Sequence, residues 1–198
     1  MNVKLVKLSE NVEIDVLENT FFVVLPSPNN KTSIKLNFVK QGVESELVAL
    51  YVASQNSEIN LETIANHTVP NTSCYTSVKG ILLDNSSSNY IGKILIAPKA
   101  MQTVSFLDDN VLVVGNTTKN HSEPILQIEA DDVKASHGAT TGRIDEFMLY
   151  YLKSRGLTES VAKNIIIEGF LDNLISKIPS QEIKLIAKEY ISNELVRH

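Results

Sequence analysis

A mainly β body followed by a small helical unit is the fold class that this 198-residue sequence predicts. Three observations point there. Short segments with apolar residues at alternate positions recur from the start to about residue 135, as in Val3-Lys4-Leu5-Val6-Lys7-Leu8 and Ser33-Ile34-Lys35-Leu36-Asn37-Phe38, which is the period of strands with one buried face. No long helical stretch interrupts the series. At Gly142 the apolar period changes from two to that of a helix, which divides the chain into a β domain over residues 1–141 and a helical domain over 142–198.

Strands are expected at residues 3–8, 33–38, 46–52, 58–64, 77–83, 90–96, 103–107, 111–114 and 125–129. Asn, Ser and Asp collect at the breaks, most densely in Asp84-Asn85-Ser86-Ser87-Ser88-Asn89, where side chains that bond the local backbone and tolerate a left-handed conformation favour tight corners. The same chemistry explains triplets such as Asn66-His67-Thr68 and Asn116-Thr117-Thr118 without invoking glycan attachment. Strands this short and closely spaced fit a sandwich, a barrel or a solenoid. No repeat of fixed length is visible.

In the last third, Ile144, Phe147, Met148, Tyr151 and Leu152 follow i, i+3, i+4 spacing and define the face of a helix that Gly156 caps. Thr158 is an N-cap for a second helix reaching about Ile178, with Ile165, Ile166, Phe170, Leu174, Ile175 and Ile178 to bury. Pro179 ends it. Ser180 caps a third, whose stripe is Ile183, Ile186, Ala187, Tyr190, Ile191 and Leu195.

Composition excludes several classes of function. With 43% hydrophobic and 21% charged residues the chain is suited to a packed core, and a net charge of -5 argues against nucleic-acid binding. The region from Arg143 to Arg197 holds eight basic and eight acidic residues, so the surplus acid lies in the β part. Apolar runs such as residues 21–25 and 111–114 are too short to span a bilayer and the N-terminus lacks a signal layout, which predicts a cytoplasmic protein without a membrane partner. One cysteine, Cys74, forms no internal disulfide and by itself no four-ligand metal site. No cation flanks it in sequence, which favours a structural thiol. Phosphate-binding loops and Cys-x-x-Cys are absent, so ATP hydrolysis by this chain is not expected.

The candidate site is the run Ala130 to Gly156, in which a strand-like segment enters a small-residue turn bearing His137 and then the first helix. Residues around His137 are too small to shield its imidazole, a borderline-soft ligand that titrates near neutrality. On composition alone the favoured role is the plainer one, a bond to a backbone carbonyl at the turn. Asp131 and Asp132 raise the alternative of a saccharide-cleaving pair, but neighbours on an extended segment point to opposite faces, and the chain has no Trp for a sugar platform. A turn, or pairing with Lys134, is the expected role.

The sequence Ser136-His137-Gly138-Ala139-Thr140, with the helix Arg143 to Gly156 behind it, resembles the signature of the SufB/SufD family of iron–sulfur cluster assembly scaffolds. The resemblance is SufD-like, since SufB-like members have glutamate at the place of Gly138 and a Cys-Asp-Ser where this chain reads Asp108-Asp109-Asn110; many SufD sequences have cysteine at the place of Ala135. It implies a right-handed parallel β-helix (β-solenoid) and a noncatalytic scaffold. It implies His137 as a cluster ligand or assembly residue at a subunit interface, for an iron–sulfur cluster held transiently and shared with a partner chain. No cofactor, flavin included, is expected on the isolated chain. Implied partners are a SufB-like protein or an identical chain at the β-helix, and a SufC-like ATPase at the helical unit, for which Leu152, Arg155 and Gly156 are the candidate contacts. Family members commonly carry an N-terminal helical extension and a longer β-helix, whereas β-like sequence begins here by Val3, a shortened form. The alternative from another class is a homodimeric adaptor that binds an ATPase without cluster chemistry.

Overall fold

A computed structural model describes residues 2–8 and 11–196. Eleven strands precede three helices: β1 (Asn2–Leu8), β2 (Asn11–Val16), β3 (Thr20–Pro26), β4 (Lys31–Phe38), β5 (Glu44–Ala53), β6 (Glu58–His67), β7 (Ser73–Leu82), β8 (Ser87–Ile96), β9 (Thr103–Val113), β10 (Lys119–Ile128), β11 (Val133–Arg143), α1 (Glu146–Ser154), α2 (Glu159–Ile175) and α3 (Gln181–Val196). Odd strands form one parallel sheet in the order β1-β3-β5-β7-β9-β11 and even strands a second, β10-β8-β6-β4-β2. The chain alternates between the two sheets, so it winds as a parallel β-solenoid, as the resemblance implied. One turn lengthens along the axis, from 18 residues (Asn2 opposite Thr20) to 32 (Ser87 opposite Lys119), which is why no fixed repeat is visible in the sequence.

The corners carry the regularity that the strands lack. Gly42, Asn71 and Gln102 occupy one corner of successive turns with φ of 77°, 56° and 57°. The Gly42 N–H donates to the Asn71 carbonyl and the Asn71 N–H to Met101, so each left-handed corner supports the next. Asn29, Asn56 and Asn85 take the same conformation at other corners, and the Asn29 side chain accepts the Glu58 N–H at 2.9 Å. Asparagine tolerates this region because its short amide bonds locally.

Two apolar cores result. The interior core between the sheets holds Phe22, Ile34, Phe38, Leu61, Tyr90 and Leu107 among others. The exterior core lies on the outer face of the odd sheet, where Phe21, Val23, Leu50 and Ile81 meet Ile167, Leu171, Leu174 and Ile191 of α2 and α3. Strands β3 and β5 are therefore covered on both faces, and their near-continuous apolar runs follow from that. Two polar ties fasten the helices: Lys79 Nζ donates to the Phe170 carbonyl at 2.6 Å while lying over its ring, and the Tyr190 hydroxyl donates to the Pro26 carbonyl at 2.7 Å.

Several expectations are corrected. Residues 103–107 and 111–114 belong to a single strand, β9, because register with β7 continues across Asp108, Asp109 and Asn110. Strands β2 and β3 are added. His137 lies not in a turn but at the centre of β11, since pairing with β9 from Val133 to Arg143 supplies a template that overrides the weak strand propensity of Ser, Gly and Ala. Helix caps agree with expectation at Thr158, Ser180 and Gly156, the last with φ of 92°. Asp145 adds an N-cap to α1, accepting the Phe147 and Met148 N–H groups.

Candidate functional site at the open end of the solenoid

β10 and β11 end their sheets, so each leaves one edge unpaired among the described residues. Parallel partners in register project to the same face. His137 stands opposite Leu107, which is buried in the interior core, so the imidazole projects to the inner face of the last turn. Val133 and Ala135 of the same face pack against that core, but no further even-sheet strand covers His137, and it is exposed. Its imidazole has no hydrogen-bond partner among the described residues, so the expected alternative of a backbone carbonyl bond is not what holds it.

Beneath His137 the interior turns polar. Asp109, opposite Ala139 on the inner face, is fully buried. Its Oδ2 accepts from Ser122 Oγ at 2.5 Å and its Oδ1 has no partner. Burial, opposed by the Ser122 bond and reinforced by Asp108, pushes its carboxyl up to about 6. Tyr51 is also fully buried with its hydroxyl unpaired, and burial together with the Asp109 charge raises the phenol. Tyr90 bonds Thr63 Oγ1 at 2.7 Å. Both rings depend on glycine, because a Cβ at Gly80 would collide with the Tyr51 ring and one at Gly92 with the Tyr90 hydroxyl and Leu107. Ser88 Oγ donates to Asn120, whose amide donates to Thr141 Oγ1 at 2.7 Å, extending the polar path to the open end.

Asp108 faces outward and is exposed. A Cβ on Gly138 would lie 3.4 Å from its Oδ1, so a glutamate there would bring a second carboxyl beside Asp108. Asp109, the inward member of the Asp108-Asp109 pair, is not among the candidates the sequence offers by itself. Alternation in Leu107-x-Asp109-x-Val111 was the available signal, hidden by dividing β9 in two.

Other sequence candidates are structural. Cys74 is buried, 3.7 Å from Thr76 Oγ1, and burial pushes its thiol up to about 12. Its ladder runs through Ser105 to Ala135, so no sulfur reaches the mouth. His67 is enclosed, stacked on Phe38 and bonded to Thr72 and Ser105, and burial lowers it to about 4. Asp131 and Asp132 lie in the exposed bend between β10 and β11, where the Asp132 carbonyl accepts from Gln102 N–H.

α1 departs from expectation. Most of the stripe meant for burial is exposed: Phe147 is 86% accessible, with Met148 and Tyr151 also open, and Leu149 is the buried residue. α1 packs on α2, with Ile144 and Leu152 half-buried, while Phe147, Met148 and Tyr151 of the stripe stay uncovered by the described residues. Tyr150 adds to the patch at 73%. Leu152 is half-buried, Arg155 lies over the Tyr151 ring and Gly156 closes the helix, so the three expected partner residues share this surface. A cleft of about 760 Å³ separates α2 from α3.

A two-sheet parallel solenoid with a histidine on the inner face of the last strand of one sheet, carrying helices on one outer face, defines the class as a β-helical protein with a helical cover. The family model described as "SUF system FeS cluster assembly, SufBD core domain" matches residues 6–170, and the chain belongs to that family. It is 31% identical over 173 residues to an iron-sulfur cluster assembly SufBD family protein of Mycobacterium leprae, covering 83% of this chain and 44% of the relative. Over 106 residues it is 37% identical to the iron-sulfur cluster assembly protein SufD of Escherichia coli, covering 54% of this chain and 25% of that protein. The SufD of Bacillus subtilis is 34% identical over 110 residues, covering 56% and 25%. The chain spans less than half the length of these curated relatives. No helix among the described residues is long and apolar enough to cross a membrane.

Proposed function

We propose that the chain is a SufD-like scaffold subunit of iron–sulfur cluster assembly, noncatalytic and cytoplasmic, with His137 presented to a cluster shared with a partner chain. The observation that carries this reading is the place of His137: on the inner face of an end strand, exposed, with its imidazole free of hydrogen bonds among the described residues. An imidazole in that state is available as a ligand, and no described group of three His, Cys, Asp or Glu encloses a metal unaided. Thiolates therefore come from the facing chain, a SufB-like protein or a second copy, joined along the open edges of β10 and β11. The exposed stripe of α1, with Leu152, Arg155 and Gly156, is the surface offered to a SufC-like ATPase.

Size exclusion with light scattering on the chain mixed with SufB-like and SufC-like partners tests the assembly, and a stable three-component complex is expected. His137→Ala is expected to leave that complex intact and abolish cluster maturation in cells. Normal maturation with this variant favours the homodimeric adaptor instead.

A further inference from the structure

Among the described residues one interior carboxylate oxygen is left without a protein partner. Asp109 is fully buried, yet only Oδ2 is bonded, to Ser122 on β10. Buried polar groups are nearly always paired, and an exception in a folded interior marks a place that water or an ion completes. The Tyr51 hydroxyl is likewise without a partner among the described residues, and its ring lies against Gly80 on β7, the strand that pairs with β9, so both unsatisfied groups belong to neighbouring turns near the end of the solenoid.

Topology sets a second donor beside it. Asp109 pairs with Ala139, and His137 is two residues earlier on the same inner face. From the spacing of neighbouring strands and the rise along a strand, the Cα atoms of Asp109 and His137 are roughly 8 Å apart. Aspartate and histidine side chains turned toward each other bridge such a gap to a shared atom. Hydroxyls of Ser122 and Thr141 stand on the same path, while the ladder of Cys74 ends in Ser105 and Ala135 without sulfur. One carboxylate oxygen and one imidazole nitrogen without thiolate suit a divalent ion such as ferrous iron or manganese rather than a soft one.

We propose that Asp109 and His137 form a divalent-cation half-site just inside the mouth of the solenoid, Asp109 supplying the inner oxygen and His137 the outer nitrogen. Water or a facing chain fills the remaining positions. The biological cargo, iron on its way into a cluster, rests on the scaffold reading; the half-site itself does not. Asp109 is thereby a ligand contributed by this chain in addition to His137.

Manganese titration of the purified 198-residue chain, followed by the loss of the free-ion electron paramagnetic resonance signal, tests it. One ion per chain is expected, with Asp109→Asn and His137→Ala each weakening binding tenfold or more. Asp109→Asn keeps an acceptor for Ser122 and removes a buried charge, so its thermal unfolding is expected to match or exceed the wild type. Absence of wild-type binding, or Asp109→Asn binding like the wild type, overturns the half-site. Complex formation with SufB-like and SufC-like partners is a separate readout: its failure sinks the scaffold reading while leaving the manganese result standing.

Discussion

Asp109 and His67 show how single buried groups shape the pH response. Asp109 is raised from an ordinary 3.8 to about 6, so the native state holds its proton more tightly than the unfolded chain, and stability falls as pH climbs through that window. His67 is lowered from 6.5 to about 4, so its contribution is present above 6.5 and is lost as pH falls toward 4. Between pH 6 and 4 the two slopes oppose. Each is worth on the order of 3 kcal/mol at full extent. Asp109→Asn is expected to raise stability at pH 7.5 by about 1–3 kcal/mol, with the gain shrinking at pH 4.5 as wild-type Asp109 takes up its proton. Urea unfolding at the two pH values measures it, and an equal gain at both removes the carboxyl charge as the cause.

At the scale of elements, α1 and β11 are the pieces whose sequence and surroundings disagree. An isolated nine-residue helix is marginal in water, so α1 depends on Asp145, Gly156 and its Leu149 contact with the rest of the unit. Its exposed aromatic stripe contributes little to stability. The double substitution Phe147→Ser and Tyr150→Ser is expected to change unfolding free energy by less than about 1 kcal/mol. The same change is expected to abolish retention of a SufC-like ATPase in a pull-down, because aromatic anchors dominate interface energy. Strand β11 is held along one edge by β9, and its small residues matter less than that template.

The whole molecule is a solenoid whose odd sheet is stabilised from both sides. Helices α2 and α3 are part of that stability rather than an appendage, since Ile167, Leu171 and Ala187 are buried against Val48, Leu50 and Ile81. Ile167→Ala is expected to cost about 2–5 kcal/mol in global unfolding, through lost burial and the cavity left behind. A loss confined to helical signal in circular dichroism, with strand signal unfolding at its wild-type midpoint, identifies the helices as an independent unit.

Much of this architecture was legible in the sequence. Alternation marked most of the strands, Asn marked the corners, and the change of period at Gly142 falls within a few residues of the passage from β11 to α1. The choice of a solenoid over a sandwich or barrel came from the resemblance at Ser136 to Thr140, not from periodicity. Period-2 patterning shows that successive side chains part company but not which of them faces inward. That is fixed by register with the turn below: Asp109 stacks on Val78 and points in, so Asp108 points out. His137 acquired its place in the same way, from Leu107 beneath it. Local sequence determined the strands, corners and caps, because these depend on backbone preferences within a few residues. Tertiary stacking decided the facing of Asp109 and His137 and the bare stripe of α1, because those depend on neighbours about thirty positions away, or on the absence of any.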